Sequence, residues 1–125
     1  MPARRVLTEA DHVWNRACHR TGDNLHEGDR ALGASLIVHG YLVNGGVAHA
    51  ALDISAGELA AGIAGYIFFG LDELASIIQR FVAAADDARG DGDARYFRVA
   101  GPAIREHFNA IFASRPYEFY AVGRA

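Results

Sequence analysis

Apolar residues along this chain recur at intervals of three and four, and no run alternates strictly between apolar and polar as a half-buried strand would. Thr8, with Asp11 three residues on, reads as a capping box opening a first helix that carries Val13, Trp14, Ala17 and Cys18 on one stripe. Gly22 would stop it. Asp29 can cap a second helix in which Leu32, Leu36, His39 and Val43 share a face that Ile37 and Tyr41 widen. Asn44-Gly45-Gly46 ends that helix, because glycine tolerates the left-handed backbone of a helix stop. Val47 to Leu52 is too short to classify and is compatible with a helical turn.

Ser55 and Glu58 form a second capping box, opening a helix through Leu59, Ile63, Tyr66, Ile67 and Phe69 that Gly70 breaks. Asp72 can cap a successor with Leu74, Ile77, Ile78, Phe81 and Val82 at helical spacing. A charged, glycine-containing loop from Asp86 to Asp93 precedes an apolar, helical patch at Tyr96, Phe97 and Val99. Pro102 suits the first turn of a last helix through Ile104, Phe108, Ile111 and Phe112. Pro116 ends it, and the aromatic tail from Tyr117 to Tyr120 is expected to pack back on the body. The fold class this implies is all-α, a compact bundle of five to six helices.

The length of 125 residues accommodates one domain, residues 1–125, and 51% hydrophobic composition is enough to bury a core. The net charge of -3 is too small to imply a polyanionic or polycationic partner, so direct nucleic-acid binding is not expected. All 12 basic residues are arginine, scattered without the clustering that phosphate recognition needs. Cys18 is the single cysteine, so no internal disulfide can form, which fits a reducing cytoplasm. No signal peptide is expected, because Val6 and Leu7 give way at once to Thr8 and Glu9. The longest apolar stretch, Leu59 to Leu71, is thirteen residues and short of the roughly 20 that span a bilayer.

Candidate chemistry is sparse. His12 and His19 lie two turns apart, about 10 Å along a helix, and neither they nor Cys18, His26 and Glu27 have the spacing of a zinc site. Cys18 is expected as a small buried hydrophobe. The loop Asp87 to Asp93 begins like a calcium loop but carries Arg89 at its third ligand position and Arg98 where the closing glutamate belongs. Glycines 57, 62, 65 and 70 match no dinucleotide fingerprint. Gly62 and Gly65 instead predict a close helix approach, from the same chain or from a second subunit. No nucleophile elbow is present, and Asp72-Glu73 is explained by the dipole at a helix start. No catalytic residue, metal ligand or cofactor is therefore assigned, and an enzyme is the less favoured reading.

Residues 31–79 contain no arginine and four acids, Asp53, Glu58, Asp72 and Glu73, so the middle of the chain is locally acidic. The order of helix, Asn44-Gly45-Gly46, short turn, helix and Gly70-Leu71-Asp72-Glu73-Leu74, with the closing segment Ile111 to Phe119, resembles the bacterial DNA-mimic protein family over residues 31–119. Tyr41, Val47 and His49 stand where that family usually has glutamate, an aromatic residue and glutamine. The resemblance implies an all-helical, often dimeric protein; in the member that named the family, acidic residues imitate DNA phosphates and occupy a DNA-binding protein. Duplex DNA carries a charge every ~1.7 Å of axis, a density that four acids over 49 residues do not supply.

Three functions follow as expectations. The first is a non-enzymatic protein–protein interaction module, with Asp53, Glu58, Asp72 and Glu73 as its surface and a DNA-binding protein or other regulator as its partner. The second is a small-molecule binder or enzyme with a pocket lined by His39, Tyr41, His49 and Tyr66, histidine being the acid–base group near neutral pH. The third is a toxin-neutralising, immunity-type protein. A homodimer is compatible with all three.

Overall fold

The structure is a computed structural model that describes residues 6–19, 25–80, 96–100 and 102–121, with the side chains at 19, 47–49, 51 and 52 outside that description. Among the described residues the chain is an all-α bundle: α1 (Glu9–His19), α2 (Glu27–Asp53), α3 (Ala56–Phe68), α4 (Asp72–Ile78) and α5 (Ala103–Ser114). Residues 96–100 are also helical, and a single 3-10 turn covers Pro116–Glu118. No helix among the described residues is long and apolar enough to cross a membrane. The loop from Asp86 to Asp93, with its calcium-like start, lies outside the described residues, as do Gly22, Phe81 and Val82.

Local chemistry sets most of the helix ends. At α1 the Thr8 N–H donates to Asp11 Oδ2 at 2.9 Å while the Asp11 N–H donates to Thr8 Oγ1 at 3.1 Å. Ser55 and Glu58 make the same reciprocal pair at α3, both at 3.1 Å. Each pair satisfies two backbone donors that a helix start leaves open. α3 ends on Gly70, whose φ of +73° admits glycine far more readily than other residues. There Gly70 N–H donates to Ile67 O and Leu71 N–H to Tyr66 O, a Schellman stop with Tyr66 and Leu71 both buried beneath it.

Two predicted boundaries change. Asp29 does not cap α2; the helix starts three residues earlier, with His26 as N-cap, and the Asp29 carboxylate reaches back to the His26 N–H at 3.0 Å. Asp72 does not cap α4 but occupies its first position after Leu71, where its charge still complements the helix dipole. Asn44-Gly45-Gly46 ends a helix as expected, and the span Glu27–Asp53 is two helices joined across a kink there. Gly46 alone is non-helical, at φ 75° and ψ -172°, a region essentially reserved for glycine, and the helix resumes to Asp53 at a new angle.

α2 is the central helix, flanked by α1 and α3. Gly62 and Gly65 make the α2–α3 approach possible: a Cβ on Gly62 would collide with Val38, and one on Gly65 with the Ala31 carbonyl and the Ser35 hydroxyl. The predicted partner helix is thus α2 of the same chain. Gly65→Ala should lose stability by roughly 1–2 kcal/mol, since overpacking against a backbone carbonyl (~1–3 kcal/mol) exceeds the helix-propensity gain of about 1 kcal/mol. Gly40→Ala should gain up to about 1 kcal/mol, because nothing lies within 4 Å of the added carbon. Urea unfolding of the two variants checks this, and an equal effect from both would refute the close-packing account.

The buried stripe of α2 is Leu32, Ser35, Val38 and Leu42, one position away from the predicted face. Leu36 and His39 are half-buried, and Val43 is 56% exposed. Serine is accepted in the core because its hydroxyl donates to the Ala31 carbonyl at 2.8 Å beneath the side-chain-free Gly65. On the other side, Phe108 of α5 is fully buried among Trp14, Phe69, Phe112 and Phe119, with ring centroids 5.4–6.2 Å away. The tail packs back as expected through Phe119, while Tyr117 stays exposed.

Two partly buried ion pairs join distant segments. Arg16 of α1 bonds Asp29 of α2 and also donates to the Tyr120 carbonyl at 2.8 Å, while the Tyr120 N–H donates to Asp29 at 2.6 Å. Arg105 of α5 bonds Asp11 of α1 at 2.6 Å with its guanidinium 5.0 Å from the Trp14 ring centroid.

Candidate functional site

The apolar residues of α2 that the core leaves partly uncovered form one wall of a groove against α1. The groove has a volume of about 360 Å³ and is lined by Trp14, Ala17 and Cys18 of α1 and by Gly33, Leu36, Ile37, His39, Gly40, Val43 and Asn44 of α2. Gly33 and Gly40 widen it: a Cβ on Gly33 would meet only the Ala17 carbonyl, at 3.9 Å. The wall exists because α2 carries more apolar surface than α3 and α1 together cover. The volume falls at the small end of ligand pockets, ~300–1,000 Å³.

Its one imidazole is held from behind. His39 Nδ1 lies 2.7 Å from the Tyr96 hydroxyl, which lies 2.7 Å from the Tyr66 hydroxyl, which in turn is 3.3 Å from the Ser35 carbonyl. Tyr66 and Tyr96 are fully buried. Burial pushes both phenols far above their ordinary range, and at Tyr96 the neighbouring Tyr66 adds to the effect, so neither ionises near neutral pH. Burial also holds His39 below the usual imidazole range, which keeps it neutral there.

A neutral imidazole and two hydroxyls can order their protons in two ways. Tyr66 donates to Tyr96 and Tyr96 to His39 Nδ1, leaving Nε2 protonated; or His39 Nδ1 donates to Tyr96, Tyr96 to Tyr66 and Tyr66 to the Ser35 carbonyl, leaving Nε2 with a free lone pair. Every hydroxyl proton has an acceptor in both. Because Nδ1 is engaged, Nε2 is the ring nitrogen that remains for a ligand.

The structure brings two of the four predicted pocket residues together, His39 and Tyr66, through a third residue that the sequence reading assigned only to an apolar patch, Tyr96. Tyr41 lines an adjoining cavity with Leu36, Ile37, Gly40 and Asn44, and its hydroxyl donates to Glu58 at 3.5 Å across the α2–α3 turn. His49 lies beyond the Gly46 kink, with its side chain outside the described residues. Cys18 is exposed at the groove, which corrects its expected burial. Burial still raises its thiol above the ordinary range, opposite to what an activated nucleophile needs. Among the described residues no three metal-ligating side chains converge.

The four acids divide into two pairs. Asp53 and Glu58 flank the start of α3, with Glu58 committed to the Ser55 capping box, and Asp72 and Glu73 lie past its end. Thirteen helical residues separate the pairs by about 20 Å, more than the ~8 Å over which surface charges act at physiological salt. No protein-family model, curated protein sequence or solved structure matches the chain.

Proposed function

We propose that this chain is a non-enzymatic binding protein that takes a small, largely apolar molecule in the groove between α1 and α2. The observation that carries this reading is His39: a neutral imidazole fixed by two buried tyrosines and set in a mostly apolar wall. A few oriented polar groups in an apolar cleft are the common build of a ligand site. A core has no need of such an arrangement, because phenylalanines would fill the places of Tyr66 and Tyr96 without polar atoms to satisfy. The one thiol lining the groove, Cys18, is held above its ordinary range and not activated, and no charged acid–base partner lines the groove beside His39 among the described residues, so binding is favoured over catalysis. A cytoplasmic location is part of the proposal, in keeping with the exposed, unpaired Cys18.

The interaction reading implied by the DNA-mimic resemblance rests on carboxylates acting together. Their division between the two ends of α3 supports it less than the groove supports ligand binding.

Gly40→Leu provides the test. A leucine there fills the groove from α2 without touching the core, since the position is open and leucine is a better helix former than glycine. The variant should unfold at the same temperature as the parent or higher, and should lose at least tenfold in affinity for an uncharged solvatochromic dye such as prodan. Equal dye binding by both proteins would remove the groove as the site.

A further inference from the structure

The residues of the groove also define what class of molecule it accepts, an inference that rests on the ligand-binding reading above. Among the described residues, none that lines the groove carries a formal charge: the polar side chains are His39 and Asn44, with the Cys18 thiol beside them. Arg30, three residues before Gly33 on α2, donates to the Leu25 carbonyl at 2.6 Å, and Arg16, beside Ala17 on α1, is bonded to Asp29. A carboxylate placed in this groove would therefore lose hydration with no cation among those lining residues, and an ammonium would find no carboxylate among them. Charging His39 itself to meet an anion is opposed by its burial.

We propose that the groove selects uncharged molecules of about a dozen heavy atoms, with an apolar body along Trp14, Leu36, Ile37 and Val43 and one carbonyl or hydroxyl oxygen bonded to His39 Nε2. The size follows from the volume, about a dozen times the ~30 Å³ share of one water. The choice of oxygen follows from the two proton orders behind His39. With Nε2 protonated, the imidazole donates to a ketone or an alcohol; with Nε2 bare, it accepts from an alcohol. Interconversion needs only rotation of the two hydroxyls and exchange of one imidazole proton with water, with no net gain or loss of protons.

Trp14 is the only tryptophan of the chain and lines the groove, so its emission reports occupancy directly. The test titrates the full chain at neutral pH with four molecules that share one skeleton: phenylbutanol, phenylbutanone, phenylbutanoate and phenylbutylamine. The alcohol and the ketone should shift Trp14 emission with at least tenfold higher affinity than the carboxylate and the ammonium. In His39→Phe the alcohol and ketone should weaken about tenfold, while the parent hydrocarbon, butylbenzene, binds as well as before or better. A tighter carboxylate, or an unchanged alcohol in His39→Phe, would overturn the selectivity while leaving the groove as a site. Absence of any emission shift with all five compounds would overturn both.

Discussion

Replacing Phe108 with alanine should cost about 3–5 kcal/mol, the usual range for deleting a fully buried phenylalanine. The ring touches four other aromatic side chains and the Arg105 guanidinium lies 5.6 Å from its centroid, so the cavity left behind opens on α1, α5 and the C-terminal tail together. Rings of that size cannot collapse into the space without moving their helices, and the cavity term stays near its full value. Total stabilities of small domains are ~5–15 kcal/mol, so the variant should lie close to its unfolding midpoint without denaturant. Phe112→Ala, at a half-buried position of the same cluster, should cost clearly less. Urea unfolding followed by far-UV circular dichroism checks both. Equal losses would show that Phe108 is not the centre of the core.

Asp29→Ala should be comparably damaging, about 3–5 kcal/mol, for a different reason. The carboxylate is only 3% exposed and accepts from the Arg16 guanidinium and from the backbone N–H groups of His26 and Tyr120. Its removal leaves a mostly buried guanidinium, whose Nε is already unpartnered, without its counter-ion, and it releases two backbone donors. Arg16→Met in the same background should recover part of the loss, because the second substitution removes the uncompensated charge. The double variant should therefore be more stable than the sum of the single effects predicts. Strict additivity in that cycle would refute a coupled pair.

What the sequence revealed tracks how local the governing interaction is. The Thr8–Asp11 and Ser55–Glu58 boxes and the Gly70 stop are each decided within six residues, and all three are legible from residue type and spacing. The face of α2 is not. A polarity pattern favours Leu36 over Ser35, yet the core takes Ser35 because it fits beneath Gly65 and bonds the preceding turn, a condition imposed by a helix thirty residues away. The site divides along the same line. His39 and Tyr66 are recognisable as titratable groups on apolar helices. Their link is not, since Tyr96 lies 57 residues beyond His39 and only the packing of the bundle joins them. Tyr41 sits beside the groove, and its hydroxyl reaches Glu58 of α3, a partner that a reading of α2 alone does not supply.

The aromatic cluster and its two ion pairs have a consequence for synthesis. Arg105 is 94 residues from Asp11 and Tyr120 is 104 residues from Arg16, and Phe119 fills the space beside Phe69, Phe108 and Phe112. On a ribosome the N-terminal helix emerges long before any of these partners exists. α1, α2 and α3 can pair as soon as they are free, but the Trp14 side of α1, which meets Phe108 and Arg105, has to wait for α5. Closure of that side is thus late, and the Trp14 face of α1 is the surface a holding chaperone would meet.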